Sequence, residues 1–328
     1  MRAQQITELS GPASALTLGD VPEPGATHPM TNAEGVVVDV RAAGVSFPEV
    51  LQTRGEYQIK PPTPFVPGSE VAGVVRSAPE GAAVRAGDRV AAFCMLGGFA
   101  EVAVAPDYLT FALPDALDFA QGAGLILNYH TAYFALVLRG RLEEGETVLV
   151  HGAAGGVGTA SIQVAKGLGC RVLAVVSSDE KERVAREAGA DDVVRSDGEW
   201  RNAARELTGG EGVDVVVDPV GGERFTDSLR SLAVGGRVVV VGFTEGSIPE
   251  VRVNRLLLNN VDVVGAGWGA YVFPRPAAER EIGDAVTRLA EAGKVRPLVG
   301  ARFPLERGAE ALRLIEDRGA LGKVVLEL

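Results

Sequence analysis

The chain has 328 residues, 46% hydrophobic and 23% charged, which is enough for two ordinary globular domains. Its net charge of −11, with acids and bases interspersed, argues against a nucleic-acid-binding surface. No apolar run reaches the ~18 residues of a membrane span, the first residues lack a signal-peptide core, and two distant cysteines, Cys94 and Cys170, build no disulfide framework, so a cytoplasmic protein is expected.

Up to Phe119 the chain reads as β-rich. Short strands are predicted over 36–40, 71–75, 89–93 and 100–104, separated by clusters such as Pro61-Pro-Thr-Pro64 and Pro67-Gly68. From Phe119 strand and helix patterns alternate. Strands are predicted over 148–152, 171–176, 192–194, 213–217, 237–241 and 261–264, with helical stretches such as 180–188 and 201–207 between them. That rhythm implies a six-stranded parallel sheet, doubly wound. After Trp268 come helical segments over 278–292 and 305–317 and a last strand over 323–328, too little for a third domain. The tail is therefore expected to rejoin the first domain. The fold class is α/β, with one domain over 1–123 and 267–328 and a nucleotide-binding domain inserted over 124–266.

The stretch Val148-Leu-Val-His-Gly-Ala-Ala-Gly-Gly-Val-Gly158 runs an apolar strand into a glycine turn, and a helix-forming segment follows from Thr159. This order aims the unpaired N–H groups and positive dipole end of a helix at an anion. Gly155 and Gly156 let the backbone approach a diphosphate, and Gly158 lets helix and strand pack closely. The first position of the usual G-x-G-x-x-G pattern is Ala153 here.

Several motifs follow in one order: Pro67-Gly-Ser-Glu-Val-Ala-Gly73, Gly87-Asp-Arg-Val90, Asn128-Tyr-His-Thr-Ala-Tyr133, Ala153-Ala-Gly-Gly-Val-Gly158, Asp218-Pro-Val-Gly-Gly222 and Gly322-Lys-Val-Val325. With them the chain resembles the medium-chain dehydrogenase/reductase superfamily, most of all its zinc-free NADPH:quinone oxidoreductase (zeta-crystallin-like) branch. The resemblance implies a GroES-like domain holding substrate, a Rossmann domain holding the nicotinamide cofactor, a cleft between them, and a homodimer. The dimer is expected to pair the last Rossmann strand, near Val261 to Val264, edge to edge.

Zinc-dependent members carry a Cys and a His where this chain has Ser46, in Gly44-Val-Ser-Phe-Pro-Glu49, and Ser69. A neutral hydroxyl is a poor zinc ligand. Two cysteines cannot supply a four-cysteine lobe, and His28, His130 and His151 show no ligand spacing, so no metal is expected. Glu49 and Glu70 then read as hydrogen-bond partners.

An NAD-selective site places an acid at the tip of the second Rossmann strand. Here the tip is Ser177 and Ser178, and Asp179 falls where the next helix starts. The resemblance puts a phosphate-binding lysine at Lys181 and a matching arginine at Arg318, and it departs where a common tyrosine is Ser196. NADPH is therefore the expected cofactor, held by Ala153, Gly155, Gly156, Val157, Gly158, Ser177, Ser178, Lys181, Val220, Gly242, Phe243 and Arg318.

No Ser/His/Asp or Cys/His nucleophilic set is evident, so the expected chemistry is the cofactor's own hydride transfer to a soft acceptor, a quinone or an enone. Hydrogen-bond donors for the developing oxyanion are expected among Ser46, Tyr57, Asn128 and Tyr133, with Tyr129 and Thr131 as further candidates. Leu51, Phe243 and Trp268 read as a wall for a flat substrate or as plain core. Three other readings stay open: an alkenal or enoyl-thioester reductase, a cofactor-binding crystallin-type or regulatory protein with little turnover, and a zinc alcohol dehydrogenase, against which the ligand positions speak.

Overall fold

The apolar run Val36–Val45 is buried along most of its length, as a strand flanked on both sides must be. In the computed structural model of the protein, which describes residues 1–196 and 198–328, it pairs antiparallel with Glu70–Ser77, Lys323–Glu327 and Val102–Ala105. The sheet continues from Glu70–Ser77 to Arg89–Phe93 and Thr110–Ala112, and from Lys323–Glu327 to Val299–Pro304. The last strand of the chain thus sits inside the first sheet, and the return of the tail has a physical basis. Its core joins Val36, Val71, Val90, Phe99, Leu312 and Leu326.

The strands of the hairpin Arg2–Ile6 and Leu16–Asp20, and Val299–Pro304, escaped the sequence reading. Leu16–Asp20 lies at an edge and buries little. In Val299–Pro304 the burial alternates, with Val299, Ala301 and Phe303 the less exposed, but glycine and a closing proline weaken the strand signal.

The second sheet orders its strands Asp192–Arg195, Arg171–Val176, Thr147–Val150, Val213–Asp218, Leu232–Val240, Asp262–Gly265, every neighbouring pair parallel. The chain winds three strands one way from Thr147–Val150, then three the other. This is the expected doubly wound sheet, and its switch point lies between Thr147–Val150 and Val213–Asp218. Leu149, Leu173, Val216, Trp200 and Phe225 pack its core.

The chain forms two compact units, Met1–Leu127 with Arg275–Thr287 and Pro297–Leu328, and Asn128–Pro274 with Arg288–Arg296. The stretch from residue 267, assigned from sequence to the first domain, stays with the second as far as Pro274, as does Arg288–Arg296, while residues 124–127 fall in the first. Within the second unit Trp268 is buried edge-on to His130 with ring centroids 6.3 Å apart, and Tyr271 packs on Phe134 at 5.0 Å. Among the described residues, no helix is long and apolar enough to cross a membrane.

Candidate active site

The cofactor-type features of the second unit gather at the carboxyl ends of its parallel strands. The strand Thr147–Val150 turns at Gly152, whose φ of +58° is left-handed and suits glycine. The left-handed residue of the turn is thus Gly152, one place before the buried Ala153, and the imperfect glycine pattern is satisfied by a shift of one residue. Helix Gly156–Gly167 starts after Gly155 with no side-chain cap. Its first-turn N–H groups have no intrahelical acceptor, and Gly155, Gly156 and Val157 are only half-buried around them. A Cβ on Gly158 would stand 2.2 Å from the Gly152 carbonyl oxygen, so this glycine is what lets helix and turn meet. A Cβ on Gly156 would stand 2.5 Å from the Asn128 amide nitrogen. The uncapped amides, the positive helix end and the side-chain-free cradle fit the diphosphate of a dinucleotide.

Ser177 follows the second strand and is exposed. Lys181 reaches back to it, Nζ donating to Ser177 Oγ at 3.2 Å. The Ser178 hydroxyl caps the helix Asp179–Glu187 by accepting from Lys181 N at 3.3 Å, which leaves Asp179 as the first of three first-turn acids, with Glu180 and Glu182. The sequence reading did not single out Arg195. It ends the third strand in register with Val176, and its Nη2 pairs with Asp179 and, at 2.8 Å, with Glu182.

Asp218 is fully buried, and its Oδ1 accepts from Val220 N and Gly221 N, both at 2.9 Å. This shapes the loop beside the turn, where Val220 Cγ2 comes within 3.2 Å of a Cβ built on Gly152. The Thr244 and Glu245 amides donate back to Pro219 and Val220, so Val220, Gly242 and Phe243 lie on two knitted loops at the same sheet edge. Burial raises the Asp218 carboxyl above the ordinary range, against the two amides that lower it.

Asn128 lies within the wide turns Ile126–His130, and Tyr133 closes the short helical turn Thr131–Tyr133 before the wide turns resume at Phe134–Arg139. Asn128 is buried against the glycine turn, and Tyr133 is half-buried. Tyr129 is spent elsewhere: it is buried and donates to Gln163 Oε1 at 2.8 Å, and burial pushes its pKa up. Thr131 is also buried.

In the first unit the chain brings Ser46, Glu49, Ser69, Glu70 and Lys323 together. Lys323 Nζ donates to Ser46 Oγ at 2.7 Å and to Glu70 Oε1. The other oxygen of Glu70 accepts from Leu127 N at 2.9 Å. Glu49 accepts from Ser46 N at 2.9 Å and from the Ser69 hydroxyl. Glu49, Glu70 and Lys323 are all nearly inaccessible. Burial raises the Glu49 carboxyl, opposed by Ser69 and the Lys323 charge. Half-buried Tyr57 stands within electrostatic reach, since burial and then the Glu49 charge both raise its pKa and keep its hydroxyl a donor. Among the described residues, no group of three His, Cys, Asp or Glu side chains converges as a metal site. Arg318, in this same unit, is exposed with a φ of +56° at the end of the helix Gly308–Glu316.

These two features, a dinucleotide edge on a doubly wound sheet and a buried polar cluster on a GroES-like sheet, are those of an oxidoreductase. Residues 32–115 match the family described as alcohol dehydrogenase GroES-like domain and residues 156–286 that described as zinc-binding dehydrogenase, a segment that excludes positions 46 and 69. The chain is 39% identical over its full length to quinone oxidoreductase-like protein 2 of Rattus norvegicus, covering 92% of that protein. Among solved structures it resembles a probable oxidoreductase from Mycobacterium abscessus, 45% identical with a TM-score of 0.89, over 100% of this chain and 99% of that one. It also resembles the quinone oxidoreductase from Thermus thermophilus, solved with and without NADPH, 35% identical with a TM-score of 0.82, over the whole of both chains. The chain belongs to the quinone oxidoreductase family of medium-chain dehydrogenases/reductases, and it is an NADPH-dependent oxidoreductase.

Proposed function

We propose that the enzyme reduces a quinone by hydride transfer without zinc. The observation that carries this reading is the occupation of the two ligand positions of zinc relatives. Ser46 is hydrogen-bonded to an ammonium, Ser69 to a carboxylate, and neither is a thiolate or imidazole. When bound, NADPH supplies the hydride from its nicotinamide ring. The chain's own residues hold the diphosphate on the Gly155–Gly158 backbone, take the 2′-phosphate at Ser177, Ser178 and Lys181, and offer donors to the oxygen where charge develops. The candidate donors for that last role are Tyr57, Ser46, Asn128 and Tyr133. A quinone fits such a site because its oxygen needs a hydrogen bond, not a Lewis acid. The buried free thiols Cys94 and Cys170 suit a reducing compartment such as the cytoplasm.

The assembly we propose is a homodimer built on the outer strand Asp262–Gly265. That strand ends the sheet with exposed Val263, and the helix before it exposes Leu257 and Leu258, 77% and 73% accessible.

The 2′-phosphate assignment is tested by Lys181→Ala. A charge-assisted hydrogen bond is worth about 1.5–3 kcal/mol, so KM for NADPH is expected to rise roughly tenfold to hundredfold while KM for NADH stays nearly constant. Equal losses with both cofactors would mean that Lys181 supports the helix instead.

A further inference from the structure

The two sides of the dinucleotide edge carry charges that do not all favour a phosphate. Asp179 is the acid closest in sequence to the second-strand tip. Its side chain is 96% exposed, and it lies two residues past Ser177. In an NAD-selective site, an acid in this neighbourhood takes the ribose diol and repels a 2′-phosphate. Here it does not stand alone. Parallel pairing sets Arg195 beside Val176, so the guanidinium at the end of the third strand reaches across the tip of the second. One nitrogen, Nη2, holds both Asp179 and Glu182. Glu182 keeps a second cation, since Arg186 Nε donates to it at 2.9 Å, but Asp179 has Arg195 as its only ion-pair partner among the described residues.

The geometry of Arg195 is not what stability alone would select. Among the described residues its Nη1 is buried without a hydrogen-bond partner, and an orphaned charged donor costs free energy. An exposed ion pair such as that to Asp179 returns little of it. The arrangement makes sense if the position of the guanidinium matters more than the strength of its bonds.

We infer that Arg195 is a positioning residue for cofactor selection: it neutralises Asp179 and holds its carboxylate off the pocket formed by Ser177, Ser178 and Lys181, so that this edge accepts a 2′-phosphate. The inference rests on the reading that this pocket takes the 2′-phosphate. It adds that the pocket is only half of the selection, because Lys181 attracts the phosphate while Arg195 silences the acid that would repel it.

The test is calorimetric titration of the purified enzyme with 2′,5′-ADP and with 5′-AMP, fragments that differ in the phosphate at issue and need no turnover. The wild type is expected to bind 2′,5′-ADP the tighter. Arg195→Met, similar in length but uncharged, is expected to weaken 2′,5′-ADP on the order of tenfold by leaving Asp179 unneutralised, with 5′-AMP unchanged. Asp179→Asn alone is expected to leave 2′,5′-ADP bound as tightly or up to about tenfold tighter, because it unmasks the guanidinium charge. The double variant, Arg195→Met with Asp179→Asn, is expected to recover most of the loss.

Equal weakening of both fragments by Arg195→Met would overturn the inference in favour of a structural role. A double variant as weak as Arg195→Met would overturn it in favour of direct phosphate contact. Should Arg195→Met not fold, Asp179→Asn still decides: weakening of 2′,5′-ADP would mean that the carboxylate helps to build the pocket and does not oppose the phosphate, and would overturn the inference. If Lys181→Ala abolishes the preference for 2′,5′-ADP while the Arg195 and Asp179 variants leave it untouched, the inference fails and the pocket stands. A wild type indifferent to the 2′-phosphate overturns both.

Discussion

Lys323 and Glu70 meet because of sheet register. Val324 faces Val45 and Gly44 faces Glu70, so the lysine enters beside Ser46 and above the carboxylate. Gly44 makes the room, since a Cβ there would stand 2.7 Å from Glu70 Oε1. The side chains are 3% and 1% accessible. Removing one member of such a pair leaves the other charge buried alone, at a cost of about 3–5 kcal/mol. Lys323→Met is therefore expected to lower unfolding free energy by about that amount in urea titrations, and Lys323→Met with Glu70→Gln to recover much of it. A single variant as stable as wild type would show that the pair contributes nothing. At this scale the sequence was half legible. Lys181 reaches Ser177 across the start of its own helix, four residues back, a contact that sequence spacing allows. Lys323 is separated from Glu70 by 253 positions and Arg195 from Asp179 by 16, and in both cases only strand pairing brings them together. The sequence signal for Lys323, the motif Gly322-Lys-Val-Val325, marked the family without naming a partner.

At the scale of elements, the strand–turn–helix around Gly152 was the most legible part of the chain, because valine-rich parallel strands and a glycine turn leave few alternatives. The edge strands of the first unit were the least legible, since glycine and proline weaken their strand signal and little of Leu16–Asp20 is buried. The turn also holds a buried base, His151, for which sequence spacing suggested no partner. His151 is inaccessible, its Nε2 lies 2.9 Å from Ser228 Oγ, and its ring stands edge-on to Trp200 at 4.9 Å. Burial, then the Arg224 charge, pushes its pKa down to about 3. A histidine depressed in the fold stabilises it fully above its unfolded pKa of about 6.5, and that contribution is lost as pH falls through the window towards the folded value. Relative to His151→Phe, the wild type is expected to lose about 1.4 kcal/mol of stability per pH unit between pH 6.5 and 3. Parallel stability curves for the two proteins over that range would contradict the burial argument.

For the whole molecule, the composition and the alternation of elements pointed to two domains, and the order of the second sheet followed from them. The exact point where the chain leaves the second unit did not, because Trp268 and Tyr271 look like any apolar pair until their partners His130 and Phe134 are known. The outer strand Asp262–Gly265 and the exposed Leu257 and Leu258 support a dimer, so light scattering should report twice the 34.1 kDa chain mass at micromolar concentration. Val263→Lys together with Leu257→Lys should shift the protein to monomer without loss of helical signal. A wild-type monomer at these concentrations would refute the assembly. The chemistry is tested most directly by one assay of the chelator-treated enzyme, in which NADPH absorbance is followed with a panel of ortho- and para-quinones and, in the reverse direction, NADP⁺ with simple alcohols. The account predicts steady NADPH consumption with quinones, undiminished by chelation, and negligible oxidation of alcohols. Robust alcohol oxidation, or loss of quinone turnover on chelation with about one zinc per chain in the untreated protein, would contradict it.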